Sequence, residues 1–198
     1  IDLTNNTLLE KLSIINEKVD NQLTYIDISN NTLLKELDLS YNDLSTIDLS
    51  HNTSLTELNL CENKLTSMDL SQNTALKNLN LKYNQLTSLA LSRNTSLTEL
   101  DLSENQLTSI YLSTTLKNIT LYNNQLTSID LSQNMALTGL NLSDNDLESI
   151  DLSNNRSLNF LSLSGNKIEK IDLSNNLNLE GLYLENTKIQ NLDLSKNT

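Results

Sequence analysis

Hydrophobic and polar positions follow one another along this chain in an order that recurs almost every twenty-one residues. From Leu34 onward the order is LxxLxLxxNxLxx(I/L)DLSxNxx, and the opening leucine of each unit falls at Leu34, Leu55, Leu76, Leu97, Leu116, Leu137, Leu158 and Leu179. With that leucine at offset 0, apolar residues occupy offsets 0, 3, 5, 10, 13 and 15, and Asn occupies offsets 8 and 18. The two halves of a unit are near copies. Each contains an alternation such as Leu37-Asp38-Leu39 or Ile47-Asp48-Leu49, the period-two signature of a short strand with one buried face. The pattern predicts a mostly β solenoid with little or no α-helix, in which short parallel strands lie on both faces of a thin, Leu-filled core. Coils stacked about 4.8 Å apart make about nine coils roughly 40 Å long. Each buried Leu contributes about 1.5 to 3 kcal/mol, and this offsets chain ordering only when neighbouring coils cover both sides.

The irregularities are informative too. A unit opening at Leu9 carries about four extra residues, with a bulged loop expected at Asn16 to Asp20, and Ile1 to Asn6 read as the second half of a still earlier unit. The Leu97 unit is two residues short around Ser113 to Thr115 and lacks its second Asn, which predicts a kink near Thr114. Residues 1–198 are therefore expected to form a single solenoid that starts and stops inside the repeat, without caps, as a portion of a longer protein.

With no Pro and only three Gly, the turns must be built by Asn, Ser, Thr and Asp, whose side chains bond nearby backbone. Two Asn columns sit where the chain turns inward. One holds Asn42, Asn63, Asn84, Asn105, Asn124, Asn145 and Asn166; the other holds Asn31, Asn52, Asn73, Asn94, Asn134, Asn155 and Asn176. Their amides are expected to donate to and accept from backbone groups that would cost about 1 to 3 kcal/mol each if buried unpaired. Thr187 breaks the first column.

These residues resemble the leucine-rich repeat family, in the bacterial 21-residue class found in internalin-like surface proteins, over essentially the whole chain. The resemblance implies a right-handed solenoid, formally of the α/β leucine-rich repeat class, whose first strand (offsets 2 to 6) lines a concave, protein-binding face. It fixes no ligand, because the family shares a scaffold rather than a partner. One departure stands out: some relatives place a cysteine column at offset 5, where this chain has Leu, and Cys61 stands alone at offset 6.

Charge and chemistry narrow the function further. A net charge of -12 argues against nucleic acid and anionic membrane, since both are bound through Lys and Arg, and no direct membrane insertion is expected. One cysteine allows no internal disulfide. Cys61 is read as a mildly reactive surface thiol or simply a tolerated substitution. The only histidine, His51, lies outward beside Asn52, and no nucleophile pair, metal set or phosphate-binding loop is visible, so no catalytic residue, cofactor or enzyme activity is expected. An Asp column at offset 14 (Asp27, Asp48, Asp69, Asp130, Asp151, Asp172, Asp193) is interrupted by Ala90 and Tyr111. Calcium and other metals are not expected there: calcium needs six to eight oxygens, whereas Ser hydroxyls beside each carboxylate offer hydrogen bonds.

The surface that varies from unit to unit is the first-strand side. It carries Tyr41, Tyr83, Tyr122, Phe160 and Tyr183, five of the seven aromatics, all at outward offsets. Exposed Tyr suits a partner that buries the ring and leaves the hydroxyl bonded, although cross-strand ring contacts also stabilise a sheet by about 0.2 to 1 kcal/mol. Alternate units also share residues: Lys35, Lys77 and Lys117 alternate with Thr56, Thr98 and Thr138, and Tyr41 and Tyr83 alternate with Glu62 and Glu104. This doubled period either presents charged rows to a partner or avoids stacking like charges. The expected function is a non-catalytic protein-recognition module of a bacterial surface or secreted protein, outside the cell, binding a host or bacterial surface protein. A structural spacer and a glycan-binding adhesin module are the alternatives.

Overall fold

The computed structural model describes residues 1–17 and 22–197, so the predicted loop falls mostly outside the described residues beyond Glu17. Eleven strands of three residues each follow in chain order: β1 (Lys11–Ser13), β2 (Glu36–Asp38), β3 (Glu57–Asn59), β4 (Asn78–Asn80), β5 (Ser88–Ala90), β6 (Glu99–Asp101), β7 (Ser109–Tyr111), β8 (Asn118–Thr120), β9 (Gly139–Asn141), β10 (Phe160–Ser162) and β11 (Gly181–Tyr183). Among the described residues there is no helix. Nine strands form one parallel sheet in the order β1-β2-β3-β4-β6-β8-β9-β10-β11. The register is set by the repeat itself: Leu37 faces Leu58, Leu58 faces Leu79 and Leu79 faces Leu100. Leucines at offsets 0, 5 and 10 are completely buried, as at Leu55, Leu60 and Leu65, and they stack on their counterparts one coil away. The core is thus a column of like residues, stabilised by neighbours on both sides.

Parallel strands lie on both faces, as expected, but unequally: among the described residues the opposite half-coils form one two-stranded pair, β5 with β7. The difference lies at offset 14. Where that residue is Asp, its Oδ1 accepts the N–H of the Ser two residues on, at 2.9 Å in Asp48–Ser50, Asp69–Ser71 and Asp151–Ser153, a bond that Asp38 and Asp101 also make on the sheet face. A ladder there would set one short Asp carboxylate on the next, which is destabilising. Ala90 and Tyr111 interrupt that stack, and the Leu91 N–H donates to the Tyr111 carbonyl at 2.8 Å. On the sheet face the corresponding column reads Asp38, Asn59, Asn80, Asp101, Thr120, so no carboxylate stacks on another. Asn59 Nδ2 donates to Asp38 Oδ2 at 3.0 Å, and the coils close up.

The two Asn columns are not equivalent. In the first, Asn84 Nδ2 donates to the carbonyls of Leu60 (2.9 Å) and Leu81 (3.1 Å) while its Oδ1 accepts the Leu65 N–H (3.0 Å). The same set recurs at Asn63, Asn105, Asn124, Asn145 and Asn166. In the second column Asn73 Nδ2 donates to the carbonyls of Leu49 and Asn52, both at 3.0 Å, but its buried Oδ1 has no donor. Asn31, Asn52, Asn94, Asn155 and Asn176 share that orphan oxygen. The expectation that both columns donate and accept therefore holds for one only.

At the short unit, hydroxyls replace the absent amide: Ser113 Oγ donates to the Asn94 carbonyl (2.9 Å) and Thr115 Oγ1 to the Leu97 carbonyl (2.8 Å). The sheet keeps its register across this unit, with Glu99 opposite Asn118 and Leu100 opposite Ile119. The missing residues are absorbed on the far edge.

The inequality of the columns is measurable. Asn84→Ala orphans the buried Leu65 N–H, whereas Asn73→Ala also removes an oxygen that has no donor. Asn84→Ala should be the more destabilising of the two by about 1 to 3 kcal/mol, read as the difference in urea unfolding midpoints; equal midpoints would show that the second-column oxygen is no liability.

Candidate functional site: the sheet face and its rim

Because β1, β2, β3, β4, β6 and β8 present their offset 2 and 4 residues to the same side, the first six coils form a groove of about 750 Å3. Strand backbone at Leu37, Leu58, Leu79 and Leu100, whose side chains are buried in the core, makes its floor, and polar side chains make its walls, among them Glu36, Asp38, Glu57, Glu99 and Asp101, with Asn78 and Asn80 at mid-length. The one cation lining it, Lys11, is held by Glu36 at 2.6 Å. Glu99 Oε1 accepts from Asn118 Nδ2 at 3.0 Å, and Asp101 Oδ1 accepts the Ser103 N–H at 2.9 Å. Glu57 has no side-chain partner among the described residues, so the centre of the groove carries anionic oxygens not committed to the fold.

None of the predicted aromatics lines this groove. They divide into two groups. Tyr83 and Tyr122 stand at its rim, where the chain leaves β4 and β8. Lys82 Nζ lies 4.8 Å from the Tyr83 ring centroid and 5.3 Å from that of Tyr122. Tyr122 donates its hydroxyl to Glu104 Oε1 at 2.7 Å, and Asn123 Nδ2 donates to the other oxygen. Hydrogen bonding with Tyr83 and Glu104 pushes the Tyr122 hydroxyl well above its ordinary pKa. Phe160 and Tyr183 lie on β10 and β11, beyond the groove, with ring centroids 5.5 Å apart. A Cβ on Gly181 would come within 3.2 Å of Phe160, so the ring covers that glycine. This pair is a cross-strand contact within the sheet. Tyr41 sits at the same offset as Tyr83, two coils away, and is equally exposed at 39%.

The alternating rows have a backbone explanation in part. The hydroxyls of Thr56, Thr98 and Thr138 donate to the carbonyls of Lys35, Lys77 and Lys117 one coil earlier, at 3.1, 3.3 and 3.1 Å. Lys35 is itself paired with Glu10 at 2.9 Å. The Tyr/Glu row is different. Tyr41, Glu62, Tyr83 and Glu104 have φ of 59, 55, 53 and 56°, and Asn123, Asp144, Gly165 and Asn186 continue the column in the same left-handed region. That conformation sends each N–H to the next coil, as from Glu62 to the Lys82 carbonyl at 2.9 Å, and turns the chain into the Asn ladder. Gly and Asn adopt it readily; Tyr and Glu do so at a cost of about 1 to 2 kcal/mol. The four coils opening at Leu34, Leu55, Leu76 and Leu97 therefore hold large side chains at a position whose backbone favours small ones.

Two sequence expectations change here. Cys61 is half-buried, and burial together with neighbouring Glu62 pushes its thiol up to about 11, so it is a poor nucleophile rather than a mildly reactive one. The groove carboxylates were missed, although the outward letters of ELD, ELN, NLN and ELD spell an acidic face directly. On the opposite face each Asp of the offset 14 column is held below the ordinary carboxylate range by hydrogen bonds from the Ser two residues on. Among the described residues no group of three His, Cys, Asp or Glu is placed to hold a metal, and no helix is long and apolar enough to cross a membrane.

A parallel solenoid built from Leu columns and an Asn ladder defines the class of protein: a stacked leucine-rich repeat. Comparison with known proteins agrees. The leucine-rich repeat family model matches residues 30–50, 93–110 and 154–174. The functional domain of InlJ from Listeria monocytogenes superposes with a TM-score of 0.90 at 36% identity, over 96% of this chain and 42% of that one. The internalin InlF of the same organism gives 0.81 at 29% identity, over 93% of this chain and 56% of that one. A plant receptor kinase ectodomain from Arabidopsis thaliana, seen in complex with Casparian strip integrity factor 2, gives 0.68 at 28% identity, over 81% of this chain and 22% of that one. No curated protein matches by sequence. The chain belongs to the leucine-rich repeat family, in its internalin-like form, and spans about half or less of InlJ and just over half of InlF. The InlJ domain includes a cysteine ladder, whereas this chain has a single cysteine, Cys61.

Two outcomes follow from the local chemistry. Glu62→Gly should relieve the left-handed backbone and stabilise the chain by about 1 kcal/mol, seen as a raised Tm; a lowered Tm would mean the Glu62 side chain contributes more than the conformation costs. Alkylation of Cys61 by iodoacetamide at neutral pH should run about a hundredfold slower than that of an unperturbed thiol, and a rate matching free cysteine would contradict the burial described.

Proposed function

We propose that this chain is a non-catalytic protein-recognition module of a bacterial surface or secreted protein and that it binds its partner through the sheet face. The observation that carries the reading is the groove: six coils hold a continuous hollow whose outward side chains vary from coil to coil, while the opposite face repeats Asp and Ser. A spacer needs no such difference between its faces. The rim formed by Tyr83, Tyr122, Lys82 and Glu104 adds preorganised rings at one edge, and the large residues held at left-handed positions support a role for those side chains outside the fold. The kinship with internalins and the complex formed by the plant ectodomain favour a protein partner outside the cell, of host or bacterial origin. Phe160 and Tyr183, packed on each other, and Lys35, paired with Glu10, become peripheral candidates, whereas Lys77 and Lys117 remain available.

Asn80→Trp places a large ring at the middle of the groove without touching the core, and the triple substitution of Tyr41, Tyr83 and Tyr122 by Ser strips the rim. In pull-downs from host and bacterial surface extracts, a protein retained by the native chain should be lost with Asn80→Trp and weakened with the Tyr variant. Retention unchanged by both, with folding verified by circular dichroism, would remove the sheet face from recognition; capture of nothing by the native chain would favour the spacer.

A further inference from the structure

The groove also indicates what kind of partner it takes. We infer that its occupant is a basic, extended protein segment running along the solenoid axis, with cationic side chains at every third residue; this rests on the proposed recognition through the sheet face and adds the partner's chemistry to it.

Charge is the first argument. The groove's walls carry Glu36, Asp38, Glu57, Glu99 and Asp101 against Lys11 alone, and Lys11 is already paired with Glu36. Asp38 is occupied by Ser40 and Asn59. Three carboxylates retain oxygens that the fold does not use: Glu57 wholly, Glu99 through Oε2 and Asp101 through Oδ2. An apolar segment laid over them would leave carboxylates desolvated and unpaired, which is costly, and a polyanion would be repelled. A metal ion does not fit the placement either, because these carboxylates are spread along the sheet and do not converge.

Spacing is the second. Glu57 and Glu99 occupy the same strand position in β3 and β6, with β4 between them. Two strand spacings are about 9.6 Å. A polyproline II segment rises about 3.1 Å per residue and returns to the same side every third residue, about 9.3 Å on. Cations three residues apart in such a segment therefore meet Glu57 and Glu99 together. Its backbone has no internal hydrogen bonds, and Asn78 and Asn80, midway between, offer amide groups to it; the Asn80 Nδ2 is free while its Oδ1 accepts the Lys82 N–H at 3.0 Å.

The test uses a lysine–proline peptide with lysine at every third position, titrated by fluorescence anisotropy at low and physiological salt. It is titrated against the native chain, against Glu57→Gln/Glu99→Gln/Asp101→Asn, and against Asp48→Asn/Asp69→Asn/Asp151→Asn on the opposite face, which removes the same charge. The groove variant should lose affinity at least about tenfold, and the opposite-face variant should stay within about twofold. A peptide of the same composition with its lysines contiguous should bind more weakly to the native chain. Glu57→Gln alone, which disturbs no bond of the fold, should weaken binding about threefold or more and keeps the test open if the triple variant folds poorly. Equal losses in the two triple variants would reduce the effect to net charge and overturn the inference, as would absence of binding at low salt. If the peptide fails while a captured partner is still lost on Asn80→Trp, recognition through the sheet face stands and the basic segment alone is refuted.

Discussion

Everything in this molecule depends on how a coil of about twenty residues closes its turn without leaving buried backbone groups unpaired. The first Asn column provides the closure. Each amide joins two coils, donating to carbonyls of its own coil and the one before and accepting an N–H from the coil before, so one side chain supplies the bonds that close the turn. This holds the strands in register, and register in turn fixes which residues face outward. The second column shows what happens with half of that arrangement: the amide hydrogens are used and the oxygen is left buried without a donor.

The second constraint is repulsion between like charges one coil apart. It divides the molecule into two unlike faces although the repeat is nearly the same in both halves. At offset 4, where Asp alternates with Asn and Thr, the coils close into a sheet; at offset 14, where Asp stacks on Asp, the ladder is unmade. Among the described residues the exception, β5 with β7, occurs where Ala90 and Tyr111 break the column. At offset 2 the sheet nevertheless holds one carboxylate pair in register, Glu36 opposite Glu57, with Lys11 bound to Glu36.

The fold was largely legible in the sequence because a repeated pattern reports its own register many times over. The Leu columns, the parallel order and the first Asn column appear as read. What was not legible depended on comparing one coil with the next. Period-two alternation is identical in both halves, so it could not show that only one half forms a continuous sheet; the charge sequence down each column could. The site was read less well. Attention to rings found the Tyr83 and Tyr122 rim but also selected Phe160 and Tyr183, which pack on each other, and it passed over the outward Glu and Asp of the strands themselves. The left-handed backbone beneath the Tyr/Glu row was hidden, because those residue types rarely adopt it and only the Asn and Gly further down the same column hinted at the shape.

The shortened coil around Ser113 to Thr115 has a meaning beyond packing. Its loss is taken up entirely on the far edge while β6 and β8 stay in step. A ligand lying on the sheet counts strands, and to such a ligand the deletion is invisible. The two edges thus tolerate history differently: one accepts changes in chain length, and the other keeps a ruler of constant spacing on which only the identity of the side chains is free to change.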